Sequence, residues 1–325
     1  MKRSEFFKRI LGVSALLSMD SFFSVANVIT NSAEQHFNES ELATFGAIHL
    51  NNTSLEKSTK FWTTIVGLQL RGSTQTTAEF GTAEETLVVV HQTAKSAYKE
   101  GYSGLYHFAI HAHNKHEFAK MLYRLLENQY PCSPIDHTMS QSIYFKDPDN
   151  ITIEIALETP ERFKRVITEG GLMVEDTDGV VKFSSTQLEV AAVLAHLQDK
   201  NLATPTHSGT KIGHIHLYAN DVEHSNLFYQ QLGFLPFNYL PQYMYADLGA
   251  GGLYQHRIAM NAWHGKNKPL APPNSAGLRY FQLVYESDEE LQKAIAASAK
   301  YEQKNEGYWL QDPTGNNLLL SYSKS

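Results

Sequence analysis

Cysteine is almost missing from this chain: Cys132 is the single one in 325 residues. Intramolecular disulfides and Cys-rich zinc or iron–sulfur sites are therefore excluded, because each needs cysteines in sets. Basic charge is also scarce, with 27 Lys and Arg against 34 Asp and Glu and a formal net charge of −7. No nucleic-acid partner is expected, since nothing supplies a basic face for phosphates. The apolar stretches near the N-terminus are short for a membrane span, so no stable membrane insertion is expected either. What is plentiful is histidine, at 15 residues, a hint of metal or acid–base chemistry. Apolar residues make up 42% and charged residues 19%, which leaves ample material for buried cores.

The first 38 residues read apart from the rest. Lys2, Arg3, Lys8 and Arg9 precede apolar runs over 10–17 and 22–29, the layout of an export signal. The stretch from Lys2 to Lys8 resembles a twin-arginine signal with Ser4 in place of its second arginine. The expectation is an exported, periplasmic protein, with a cytoplasmic one carrying a disordered extension as the alternative.

From residue 39 onward the chain repeats itself. Phe45-Gly46-Ala47-Ile48-His49-Leu50 returns as Ile212-Gly213-His214-Ile215-His216-Leu217. Gly104-Leu105-Tyr106-His107-Phe108-Ala109-Ile110 returns as Gly277-Leu278-Arg279-Tyr280-Phe281-Gln282-Leu283. Each opening alternates like a strand, and each is followed by a helix-period stretch and further strand-like runs. Tyr144-Phe145-Lys146-Asp147-Pro148 matches Trp309-Leu310-Gln311-Asp312-Pro313 near the ends of two copies. The pattern predicts four βαβββ modules, at about 43–97, 103–158, 211–268 and 276–325. In domain terms, 39–158 holds modules one and two, 211–325 holds modules three and four, and 159–210 is a linker with a helix over 186–198.

This arrangement resembles the vicinal oxygen chelate superfamily, which includes glyoxalases, bleomycin- and fosfomycin-resistance proteins and extradiol dioxygenases. The resemblance implies an α+β fold of four βαβββ modules pairing into two open, cup-shaped sheets that hold a metal. Fold alone does not name the chemistry.

The most specific stretch runs from Ile135 to Glu154 and holds His137, Tyr144, Asp147-Pro148 and Glu154. It looks like the signature of extradiol ring-cleaving dioxygenases, with Asn150 where glycine is usual. Asn tolerates the left-handed backbone a glycine would adopt, so the turn is expected to survive. The resemblance makes Glu154 a metal ligand and His137 and Tyr144 neighbours of a bound catechol. Glu154 has support of its own. It alternates within the apolar run Ile151-Thr152-Ile153-Glu154-Ile155-Ala156, and a carboxylate aimed into a cup is costly unless a cation pairs with it. A solvent-facing Glu on a half-exposed strand is the plainer alternative.

Non-haem Fe(II) oxygenases use two histidines and one carboxylate, and the superfamily takes its histidines from the first strands of modules. That position is His107 in module two and His214 in module three, against Ala47 and Tyr280 in modules one and four. The matching last-strand positions are read as Glu154, His256, Thr86 and Leu319. Only a pairing of module two with three gathers His107, His214, Glu154 and His256 in one cup. Modules one and four then form a cup without ligands. His256 is either a fourth ligand, as in glyoxalase-like relatives, or the acid–base residue beside the substrate hydroxyl, as in extradiol dioxygenases.

The other histidines read as structural: His49 and His216 as packing, and His111, His113 and His116 as surface residues at a strand end. Tyr243, Tyr245, Tyr254 and Trp263 are candidates for aromatic walls. The closest resemblance is to catechol 2,3-dioxygenases of the two-half, four-module type. It implies an Fe(II) or Mn(II) oxidoreductase acting on a small aromatic diol and dioxygen, with a homo-oligomer allowed. A glyoxalase-like isomerase or lyase, or a non-catalytic binding protein, are the alternatives.

Overall fold

The computed structural model describes residues 40–323; the signal-like segment lies outside the described residues. Each of the four expected modules is present. Module one comprises β1 (Ala43–Asn52), α1 (Leu55–Lys60, extended by a π-turn over Phe61–Val66), β2 (Gln69–Ser73), β3 (Thr77–Gly81) and β4 (Thr86–Gln92). Module two comprises β5 (Gly104–His111), α2 (Lys115–Glu127), β6 (Ser133–Asp136), β7 (Ser140–Lys146) and β8 (Thr152–Glu158). The stretch that follows carries β9 (Phe163–Ile167), β10 (Met173–Asp176), β11 (Val181–Phe183), β12 (Thr186–Gln187) and α3 (Val190–Leu194). Module three comprises β13 (Lys211–Tyr218), α4 (Val222–Gln231), β14 (Leu235–Leu240), β15 (Tyr245–Gly249) and β16 (Ile258–Asn261). Module four comprises β17 (Gly277–Tyr285), α5 (Asp288–Ala297), β18 (Glu302–Lys304), β19 (Gly307–Gln311) and β20 (Asn317–Tyr322).

The local chemistry repeats with the modules. Ser54, Asn114, Asp221 and Ser287 each cap their module's helix, the side-chain oxygen accepting an amide hydrogen three residues on. Alternation sorts the strands' two faces. On β5, Phe108 and Ile110 are fully buried beneath α2 with Phe118, Leu122 and Leu125, while His107, Ala109 and His111 take the other face.

Sheet order decides how the modules pair. The nine-stranded sheet runs β12-β6-β7-β8-β5-β13-β16-β15-β14, and the eight-stranded sheet runs β18-β19-β20-β17-β1-β4-β3-β2. Module two therefore joins module three through antiparallel β5 and β13, and module one joins module four through β1 and β17. The cross-half pairing expected from the ligand count is the one observed. The sheets share a core, in which Trp62 of module one packs 6.3 Å from the Phe108 ring of module two.

Two expectations need correction. The stretch 159–210, read as a linker with a helix over 186–198, is folded: β9, β10 and β11 form their own sheet, and β12 pairs with β6. The helix shrinks to α3 because Thr186 and Gln187 complete an edge ladder with Asp136 and Ile135. The second correction is register. Ala109 faces Glu154 across β5 and β8, and by the same count His216 faces Ala259, His49 faces Val89 and Gln282 faces Leu319. The counterparts of Glu154 are thus Ala259, Val89 and Leu319. Thr86 and His256 fall three residues early, and His256 lies in the approach to β16.

Candidate metal centre

Three buried groups converge in the nine-stranded sheet. His107 Nε2 lies 3.0 Å and His214 Nε2 3.1 Å from the same oxygen, Glu154 Oε2, and the two imidazole nitrogens are 3.4 Å apart. Among the described residues this is the one cluster of His, Cys, Asp or Glu whose ligand atoms come that close together. β5 and β13 supply the histidines and β8 supplies the carboxylate, so the cluster spans the central strands of modules two and three. Burial would raise the Glu154 carboxyl, but the two imidazoles set against it outweigh that and hold the group well below the carboxylate range. Burial in turn pushes His214 well down, which favours a neutral ring with a free lone pair.

His137 and Tyr144 stand on the module-two side. Tyr144 sits opposite Glu154 in the β7–β8 ladder, with its ring 5.4 Å from that of His107. His137 Nε2 is 3.0 Å from the Tyr144 hydroxyl, and its Nδ1 is 2.8 Å from the Ser184 carbonyl. A carbonyl only accepts, so Nδ1 carries the hydrogen and Nε2 accepts from Tyr144. Burial lowers His137 and raises Tyr144 well above the phenol range. The backbone at Asn150 is left-handed, φ 67°, as the substitution for glycine requires.

His256 stands on the module-three side, its ring 4.8 Å from that of His214. Its Nδ1 is 2.7 Å from Asp247 Oδ2, which also accepts from the Tyr245 hydroxyl at 2.8 Å. The Asp247 carboxylate thus fixes hydrogen on Nδ1 and leaves Nε2 as an acceptor. Tyr106, His216, Tyr245 and Trp263 pack together beside the cluster; Trp263 stacks on Tyr245 at 6.2 Å and is half exposed, while His216 lies 4.9 Å from His107. Tyr254 is buried against His111 and His214 instead, and the Tyr243 hydroxyl bonds to the Thr168 carbonyl.

Sequence reading missed His111 and Asp247. His111, taken for a surface residue, is 2% exposed and bonds to His214; its place on the same face as His107 was the available signal. His113 is exposed and His116 half-buried, and both lie away from the cluster.

Comparisons with known proteins fit this geometry. Residues 44–155 match the model of the Glyoxalase/Bleomycin resistance protein/Dioxygenase superfamily. The chain is 28% identical over 277 residues to a catechol-2,3-dioxygenase of Bacillus subtilis (strain 168), covering 82% of this chain and 93% of that protein. Among solved structures, a glyoxalase I mutant from Zea mays aligns with a TM-score of 0.52 at 13% identity, over 87% of this chain and 94% of that one. The cppA protein of Streptococcus pneumoniae TIGR4 aligns at 0.51 and 9% identity, over 87% and 99%. At such identities the structural likenesses speak for fold alone. The family match spans modules one and two, modules three and four repeat the same βαβββ unit, and the aligned structures share the fold.

Proposed function

We propose that the protein is an extradiol ring-cleaving dioxygenase, acting on a catechol-like diol with Fe(II), or alternatively Mn(II), held by His107, His214 and Glu154. The observation that carries this reading is a convergent His–His–Glu set with Ala259 at the fourth register position. Three protein ligands leave positions open for a diol and dioxygen, as in two-His-one-carboxylate oxygenases. A four-ligand glyoxalase-like site would need a side chain that Ala259 lacks. The 28% identity to a catechol-2,3-dioxygenase supports the same choice.

When bound, the ion supplies Lewis acidity toward the diol and a place for dioxygen beside it. The protein's own groups do the rest. His256, oriented by Asp247, offers Nε2 to take a phenolic proton, the arrangement of a base held by a carboxylate. His137, anchored on Ser184, holds the Tyr144 hydroxyl next to the cluster, where its oxygen can accept a hydrogen bond from a substrate hydroxyl. Tyr106, Tyr245 and Trp263 offer ring faces and edges suited to a flat aromatic substrate.

The test is anaerobic reconstitution with Fe(II), then addition of catechol and oxygen. A yellow ring-opened product with matching oxygen uptake is expected. Full metal loading with no turnover of catechol or substituted catechols would overturn the reading in favour of a binding protein.

A further inference from the structure

His214 meets the cluster through Nε2, so the partner of its other nitrogen decides how the ring is held. That partner is another histidine: His214 Nδ1 lies 2.9 Å from His111 Nε2. His111 Nδ1 in turn lies 2.7 Å from Glu158 Oε1, which also accepts from Arg257 Nη1 at 2.7 Å. Arg257 forks onto Glu41, with Nε 2.9 Å from one carboxylate oxygen and 3.0 Å from the other. His111, His214 and Arg257 are all buried. The chain of contacts draws on several parts of the molecule: His111 and Glu158 from module two, His214 and Arg257 from module three, and Glu41 from the segment leading into β1.

The direction of each hydrogen bond follows from the ends. Glu158, paired with Arg257, is a carboxylate and can only accept, so His111 carries its hydrogen on Nδ1. A neutral His111 then has an acceptor at Nε2, which takes the hydrogen from His214 Nδ1. His214 is left with its lone pair on Nε2, the atom that faces Glu154 and His107. The backbone is shaped for this stack. A Cβ at Gly213 would stand 2.0 Å from the His111 ring, so only glycine lets the ring lie there, and the Gly213 carbonyl accepts from Arg257 Nη1 at 3.0 Å. His107 has no such support, since its buried Nδ1 has no partner.

We infer that His111, backed by Glu158 and by the Arg257–Glu41 pair, is a positioning residue that fixes the tautomer of His214 and aims its Nε2 lone pair at the metal. A ligating histidine commonly donates its second N–H to a carboxylate or carbonyl; here an extra imidazole is inserted between ligand and carboxylate. The inference rests on the metal-binding reading above.

The experiment titrates metal-free protein anaerobically with Fe(II), and separately with Co(II) as a spectroscopic probe, for wild type, His111→Leu, His111→Gln and Glu158→Ala. Melting of each metal-free protein checks its fold. His111→Leu is expected to lower affinity about 10–100-fold and to change the Co(II) visible spectrum. His111→Gln, whose amide oxygen can accept from His214, should recover most of the affinity, which a purely structural role would not predict. Glu158→Ala should lower affinity in the same direction and carries the test if His111→Leu fails to fold. Wild-type affinity and spectrum in a folded His111→Leu, or in Glu158→Ala if that variant alone folds, overturn the inference by themselves. Wild type failing to bind either ion overturns the metal reading and this inference together.

Discussion

The two sheets are built from the same module and the same turn, yet they spend their central positions differently. In both, an Asp-Pro turn leads into the last strand of a module. Asp147 Oδ1 accepts the amide hydrogens of Asp149 and Ile151, and Asp312 Oδ1 accepts those of Thr314, Gly315 and Asn316. Both turns pass through a left-handed residue, Asn150 at φ 67° and Gly315 at φ 101°. The cross-strand pair at the centre also has one register, His216 opposite His107 in one sheet and His49 opposite Tyr280 in the other. From there they diverge. In the nine-stranded sheet, His107, His214 and Glu154 turn their polar atoms on one another. In the eight-stranded sheet the matching positions hold Ala47, Tyr280, Val89 and Leu319; His49 stacks on Tyr280 at 3.9 Å, and Tyr280 packs edgewise on Trp309. The Asp-Pro part of the extradiol-like signature is therefore architecture, common to both sheets. What sets the nine-stranded sheet apart is a few buried polar side chains added to it.

The largest expected effect comes from erasing the difference. Replacing His107, His214 or Glu154 with Ala should abolish stoichiometric Fe(II) binding while leaving the fold intact, because a three-ligand site has no spare protein ligand. Tyr280→Phe, at the matching position of the other sheet, should leave metal content unchanged. Metal analysis after gel filtration decides both. Tight binding that survives any one of the three alanine variants removes that residue from the site.

A smaller effect separates ligand from base. His256→Ala should retain the metal and lose turnover by roughly 10²–10⁴-fold, the usual scale of general acid–base assistance. Asp247→Asn should cost less, since it weakens the orientation of the ring and keeps the imidazole. Loss of metal in His256→Ala would point instead to a four-ligand, glyoxalase-like centre.

How far the sequence disclosed this contrast depended on the kind of information each residue carries. Repetition and alternation are local, so the modules, their strand faces and the candidates His107, His214, Glu154, His137 and Tyr144 were legible. The pairing of modules also followed, from the simple count of which combination completes a ligand set. Register was harder. His256 lies close to the β16 sequence, and only the observed ladder shows that Ala259 takes the position opposite His216. His111 was misread because its burial comes from module three, through the bare backbone at Gly213 and the ring of Tyr254. A residue at a strand's end looks exposed until the strand beside it is known. The fold of 159–210 was hidden for the same reason, since β12 needs the edge of β6 to pair with.

The smallest effect tests whether the sheet without ligands treats its histidine as packing. His49 lies against Tyr280, with Nδ1 3.0 Å from His91 Nε2. Burial, followed by the nearby His91 and Arg279 charges, lowers its pKa to about 3. In the unfolded chain the imidazole returns to its ordinary value near 6.5. Between those values the unfolded state binds more protons than the folded one, so the contribution of His49 to stability is present above about 6.5 and is lost as pH falls toward about 3. Wild type should therefore lose stability between pH 7 and pH 5, with contributions also from the buried histidines of the other sheet. His49→Gln cannot take up that proton, so its loss over the same interval should be smaller by an amount of order 1 kcal/mol. Denaturant melts of both proteins at the two pH values give the comparison directly. Equal losses would mean that His49 accepts its proton without leaving the stack, and that this sheet tolerates charge where the packing described here requires a neutral ring.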